Sequence, residues 1–149
     1  QLLLVNGQVS QGVTMKCLIV EDSKVMAQVL TGLAHSVTQK EDGTFDDVVH
    51  ADNMLLAFNI LAKDVFDYIF LDLNLRDDLG TSDRRDGLRI LEYVRTLKQK
   101  IPVFIVTGDS NIETVKEVLK YKPTDYLVKP VTKDKISRCM EKVKNSTPA

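Results

Sequence analysis

The chain has 149 residues, 44% of them hydrophobic, which suits one domain burying roughly two-thirds of its unfolded surface and leaves too little material for a second. Charged residues make up 28% and nearly cancel, leaving a net charge of -1 and a pI ≈ 6.1, so no global basic field draws the chain to nucleic acid or to an anionic membrane. No apolar run approaches the ~20 residues that span a bilayer, and Leu2-Leu3-Leu4-Val5 lacks the length and basic flank of a signal peptide; the reading is a soluble, unexported, cytoplasmic protein with no membrane contact.

Gln1 to about Thr14 carry little charge and contain Gly7 and Gly12, so residues 1–14 are read as an N-terminal extension or cloning remnant. From Met15 short apolar runs alternate with amphipathic segments. A first strand runs from Met15 to Val20, followed by a helix capped by Ser23 with Val25, Met26, Val29, Leu30 and Leu33 as its apolar stripe. A second strand spans about Asp47 to His50, and a second helix, capped by Asp52, carries Leu55, Phe58 and Leu61. The third strand is Asp67 to Asp72. After it, Arg76 to Asp86 is mostly charged and longer than the usual βα loop of ~2–6 residues, which predicts an exposed loop that modulates function but is dispensable for folding. The third helix holds Leu88, Leu91 and Val94; a fourth strand, Pro102 to Thr107, leads to a helix with Ile112, Val115 and Leu119; a fifth strand, about Thr124 to Val128, leads to a last helix with Ile136, Met140 and Val143. Residues 15–145 form the domain and 146–149 a C-terminal tail. Cys17 and Cys139 lie far apart inside apolar segments, as core filling rather than a disulfide or metal site. His35 and His50 sit in no ligand or triad spacing and read as ordinary helix-end and strand residues.

Five strands alternating with five helices imply a parallel sheet covered on both faces. Four of the strand exits carry chemistry: Glu21-Asp22, Asp72 with Asn74 two residues on, Thr107, and Lys129-Pro130. If the strands are parallel, these exits meet at the carboxyl edge of one sheet, where open α/β folds bind ligands. Each residue has a bland alternative: a turn aspartate, a capping serine, a threonine satisfying the backbone, a solvated lysine. For the set, the bland reading needs several coincidences at one edge. Clustered carboxylates repel unless they share a cation, and a hard divalent ion that also accepts phosphate oxygens resolves the conflict. A carboxylate beside such an ion can attack phosphorus, with a lysine and a hydroxyl stabilising the equatorial oxygens.

In these motifs, Leu-Ile-Val-Glu21-Asp22-Ser, Ile-Phe-Leu-Asp72-Leu-Asn74, Ile-Val-Thr107-Gly108 and Asp-Tyr126-Leu-Val-Lys129-Pro130, the chain resembles the receiver domain of two-component response regulators over about Met15 to Asn145. The resemblance implies a flavodoxin-like (βα)5 three-layer sandwich with sheet order 2-1-3-4-5. It implies Asp72 as phosphoacceptor, with Mg2+ held by Asp22, Asp72 and the Asn74 carbonyl and Glu21 one layer out. Thr107 and Lys129 would contact the phosphoryl group, and Thr107 and Tyr126 would form the switch, with Gly108 leaving room beside the threonine. The implied partners are a sensor histidine kinase or histidine phosphotransfer protein and a downstream protein or output domain, with no direct nucleic-acid contact; many receivers also form homodimers through the face of the fourth helix, fifth strand and fifth helix. Where many receivers have proline four residues after the phosphoacceptor this chain has Arg76, and Asp86-Gly87 follows only after the charged segment.

Two other functional classes fit the residues less well. A receiver-like binding module regulated without phosphate is opposed by the joint presence of Asp22, Asp72, Thr107 and Lys129. A haloacid-dehalogenase-type phosphatase would want Asp where Asn74 stands, and no glycine-rich fingerprint follows the first strand to support a dinucleotide enzyme. The chain is thus read as a signalling domain whose only chemistry is its own phosphorylation and dephosphorylation.

Overall fold

Apolar runs too short for helices and too continuous for a half-solvated sheet build the centre of the molecule, seen here in a computed structural model that describes residues 14–76 and 82–146. In chain order the elements are β1 (Lys16–Val20), α1 (Lys24–Thr38), β2 (Asp47–Ala51), α2 (Met54–Lys63), β3 (Tyr68–Asp72), β4 (Leu75–Arg76), β5 (Ser82–Asp83), α3 (Arg85–Thr96), β6 (Val103–Thr107), α4 (Ile112–Leu119), β7 (Asp125–Val128) and α5 (Lys133–Ser146). Five strands form one parallel sheet in the order β2-β1-β3-β6-β7, which is 2-1-3-4-5 counted among themselves, the expected flavodoxin-like arrangement. The central strands β3 and β6 are buried at every position.

Because side chains alternate across a strand, each strand feeds two cores. Leu18, Val20, Ile69, Leu71, Val103 and Ile105 face one, closed by α2 and α3; Cys17, Ile19, Phe70, Phe104 and Val106 face the other, closed by α1 and α5. Cys17 and Cys139 are buried free thiols whose pKa burial pushes up, as core fillers should be. Among the described residues, no helix is long and apolar enough to cross a membrane.

Several local expectations are corrected. The second helix is capped by Asn53, not Asp52: Asn53 has the extended backbone of a cap and its side-chain oxygen accepts the Leu56 N–H at 2.9 Å, while Asp52 accepts from the Asn53 amide at 2.7 Å. Asn53→Ala should therefore cost about 1 kcal/mol in urea unfolding and Asp52→Ala distinctly less. The stripes of three helices match the prediction only in part. In α1 the predicted Leu30 is buried and Met26 and Leu33 pack against the core, but Val25 and Val29, at 70% and 46% exposed, face outward and Ala27 and Ala34 are buried in their place; in α2 Leu61 is buried and Phe58 packs on the core but Leu55 is exposed, and in α4 Ile112 and Leu119 are exposed. These helices lie on the sheet through small residues, Ala27, Ala34, Ala57 and Thr114, which permit close approach. In α3 and α5 the predicted stripes are buried.

The charged segment is not simply a loop. Leu75 pairs with Asp83 and Arg76 with Ser82 in a short antiparallel ribbon, anchored by the buried Leu75, and α3 begins at Arg85, so Asp86 sits in its first turn, where a negative charge complements the helix dipole. Residues 77–81 of the predicted loop, residues 1–13 of the predicted extension and residues 147–149 of the predicted tail lie outside the described residues, and Ser146 ends α5 rather than starting the tail.

Candidate functional site

The parallel register carries the four predicted exits to one edge, because Val20 is level with Leu71, Asp72 with Val106, and Thr107 with Val128. Glu21 continues β1 by one hydrogen bond, its N–H donating to Ala51 at 3.0 Å, and its side chain is 1% exposed. One Glu21 oxygen accepts from Lys129 Nζ at 3.1 Å and the other from the Ser23 N–H at 3.1 Å. Asp72, 6% exposed, closes β3; its Oδ1 accepts the Asn74 N–H at 3.2 Å and its Oδ2 lies 3.9 Å from Lys129 Nζ. The lysine therefore leans on Glu21 and only approaches Asp72.

Thr107 is fully buried, its hydroxyl oxygen accepting from the Asn74 side-chain amide at 3.3 Å and from the Asp109 N–H at 3.2 Å. Lys129 is aimed by its own N–H, which donates to the Thr107 carbonyl at 2.7 Å, and its bond to Pro130 is cis. Lys135 Nζ braces the turn, donating to the Val128 and Pro130 carbonyls at 2.8 and 3.0 Å. A methyl group at Gly108 would meet nothing within 4 Å, so the space beside Thr107 is open.

Glu21, Asp22 and Asp72 each offer a carboxylate oxygen within 4.8 Å of the others. Burial first, and then the Glu21 carboxylate, raise the Asp72 pKa to about 7 against the opposing pull of Lys129 and the Asn74 N–H. Three carboxylates against one lysine leave negative charge that a hard divalent cation with oxygen ligands would offset, and the donor set fits Mg2+.

Tyr126 stands apart from the carboxylates. Its hydroxyl donates to the Asp109 carbonyl at 2.6 Å, and Asp109 in turn contacts Thr107, so a chain of bonds links the aromatic ring to the site edge. Burial and Asp109 raise the pKa of this phenol. Two neighbours escaped the sequence. Asp109 had a faint signal in standing two residues after Thr107. His50, read as an ordinary strand residue, puts Nε2 2.6 Å from the Glu21 carbonyl; since a carbonyl only accepts, Nε2 carries the proton. Its place near the end of β2, beside the β1 exit, was the available clue.

The family model described as response regulator receiver domain matches residues 17–141. The transcriptional regulatory protein ZraR of Klebsiella oxytoca is 34% identical over 89 residues, 60% of this chain and 18% of that protein. The transcriptional regulatory protein LytR of Staphylococcus aureus (strain N315) is 25% identical over 130 residues, 87% of this chain and 47% of that protein. The chain thus spans less than half the length of these relatives. Among solved structures, the Francisella response regulator 1452 receiver domain matches with a TM-score of 0.70 at 23% identity, covering 90% of this chain and all of that one. The receiver domain of sensor histidine kinase PA1611 from Pseudomonas aeruginosa PAO1, which has a magnesium ion coordinated in its active site cleft, matches with a TM-score of 0.71 at 18% identity, covering 89% of this chain and 99% of that one.

Proposed function

Because this chain belongs to the response regulator receiver domain family, we propose that it takes a phosphoryl group from a sensor histidine kinase or histidine phosphotransfer protein onto Asp72 and relays the change to a partner protein or output domain. The observation that carries the reading is the buried Asp72 carboxylate, of raised basicity, approached by Lys129 beside two further carboxylates, with Thr107 ending the neighbouring strand. A carboxylate oxygen of Asp72 attacks phosphorus; the P–N bond to the donor imidazole breaks, its electron pair staying on nitrogen, and an acyl phosphate forms. Lys129 and, after moving toward it, the Thr107 hydroxyl would meet the phosphoryl oxygens, a reading supported by the closeness of Lys129 to Asp72 and the open space beside Gly108. Water later hydrolyses the acyl phosphate, so the turnover is the domain's own and the role is signalling rather than enzymic.

Asp22, Asp72 and the Asn74 carbonyl would hold Mg2+, which supplies positive charge against the phosphoryl oxygens, and Glu21 would act through its grip on Lys129 and the Ser23 N–H. Glu21→Gln should weaken Mg2+ binding on the order of tenfold by loosening the groups around the ligands, and Asp22→Ala by more, since it deletes a direct ligand. Metal titration of the two variants decides this, and equal losses would show the pair divided wrongly.

Once Thr107 moves toward a phosphoryl group, the Asp109 link carries the displacement to Tyr126 and to α4, whose exposed Ile112 and Leu119 offer an apolar partner surface. The test is incubation with acetyl phosphate and Mg2+, followed by trapping and mass spectrometry. An acyl phosphate on Asp72 that chelator prevents, with beryllofluoride shifting amide signals from Gly108 to Tyr126, is the expected result. Partner binding that proceeds unchanged without any acyl phosphate would instead make this a phosphate-independent binding module.

A further inference from the structure

At the opposite end of the sheet from Asp72, a cleft of about 440 Å³ opens between the C-terminal end of α3, the connection to β6 and the turn before β7. That volume falls in the ~300–1,000 Å³ range of small-molecule sites. Four cations line it: Arg95, Lys98, Lys100 and Lys122. Among the described residues none of them forms an ion pair with a carboxylate, and no protein anion answers the charge gathered in the cleft. Arg95 is built in rather than waving in solvent: its Nε donates to the Lys122 carbonyl at 2.9 Å and its Nη1 to the Ile101 carbonyl at 2.7 Å, which ties the two walls together.

The bland account is that these cations complement the ends of the helices nearby. The C-terminal ends of α3, α4 and α5 bring about half a negative charge each, too little to balance four cations held together. Arg95 is also partly desolvated, and burial holds its pKa below the ordinary value, a cost an anion would relieve. The floor is not polar: Leu97 is partly exposed in it, over the edges of the buried Ile101 and Pro102. A bare inorganic anion would leave that apolar floor uncovered, and an apolar ring alone would leave the charge unanswered.

We propose that this cleft is a second ligand site, for a nucleoside phosphate whose base lies on Leu97 above the edges of Ile101 and Pro102 and whose phosphates lie among Lys98, Lys100 and Lys122. The proposal is independent of phosphoryl transfer at Asp72, because the two sites lie at opposite ends of the strands. ADP titrated into the protein in the presence of EDTA, which keeps phosphates from being drawn to the acidic edge through a metal, should give saturable amide shifts over residues 94–102 and 122–124. Adenosine and pyrophosphate should each bind more weakly than ADP. The double variant Lys98→Glu and Lys100→Glu, both at exposed positions, should lose about tenfold or more in ADP affinity through charge reversal while keeping its melting temperature and its phosphorylation by acetyl phosphate. Shifts confined to Glu21, Asp22 and Asp72, an absence of saturation, or unchanged affinity in the folded double variant would overturn the site; equal binding of pyrophosphate and ADP would overturn its assignment to a nucleoside.

Discussion

Asp72→Asn should abolish acyl-phosphate formation and, in metal-free buffer, make the protein more stable than its parent at neutral pH. The first half follows from the loss of the nucleophile. The second follows from what Asp72 costs the fold. Its carboxyl group is buried beside Glu21 and has a pKa raised to about 7, so the native state holds the proton more tightly than the unfolded chain does. The sign is then fixed: this group's stabilising contribution is complete below the ordinary carboxylate pKa of about 4 and is lost as pH rises through about 7. Above that the native state carries a buried, poorly solvated charge. The amide of the variant keeps an oxygen for the Asn74 N–H and carries no charge against Glu21. Urea unfolding at mildly acidic and mildly alkaline pH, with EDTA, should show the parent losing on the order of a few kcal/mol relative to the variant across that interval. Adding Mg2+ should recover the parent far more than the variant, because only the parent has the full ligand set. Parallel pH profiles for the two proteins, or an acyl phosphate surviving in the variant, would contradict this account.

The exits that make the site were legible because their strands are buried on both faces. A run such as Val103-Phe-Ile-Val106 has no solvent side, so the first polar residue after it, Thr107, marks the end of the sheet with little ambiguity. The helix phases were harder for a physical reason. Reading a stripe from large apolar residues assumes that size tracks burial, but α1 and α2 approach the sheet through Ala27, Ala34 and Ala57, leaving Val25 and Leu55 outside. The partners inside the site left only faint signals. That Lys129 grips Glu21 more closely than Asp72, and that His50 bonds the Glu21 carbonyl, depend on the register between β1, β2 and β7 and on rotamers that no spacing encodes. The ribbon of β4 and β5 was missed because two-residue strands have no periodicity to read.

Gly87→Ala should be among the most damaging single substitutions in the domain, though it touches no predicted ligand. A Cβ there would stand 2.4 Å from the Leu73 carbonyl oxygen and 3.0 Å from the Leu73 C and Cα atoms. All three are backbone, so no flexible side chain can step aside. Alanine normally favours a helix by up to ~1 kcal/mol over glycine, and the clash must exceed that gain; overpacking of rigid interiors costs roughly 1–3 kcal/mol and occasionally more. Relief requires the first turn of α3 to lift off, or Leu73 to move. Leu73 sits between Asp72 and Asn74, so its displacement would pull the phosphoacceptor and its neighbour out of register with Thr107 and Lys129. The variant should therefore lose roughly 2 kcal/mol or more of stability, and its folded fraction should bind Mg2+ and accept phosphate from acetyl phosphate poorly. Gly32→Ala supplies the contrast: this glycine lies exposed within α1 with nothing within 4 Å of a new Cβ, and the substitution should stabilise by roughly 0.5–1 kcal/mol and leave phosphorylation unchanged. If the two variants behave alike, the close contact between α3 and the strand carrying Asp72 is not what holds that carboxylate in place.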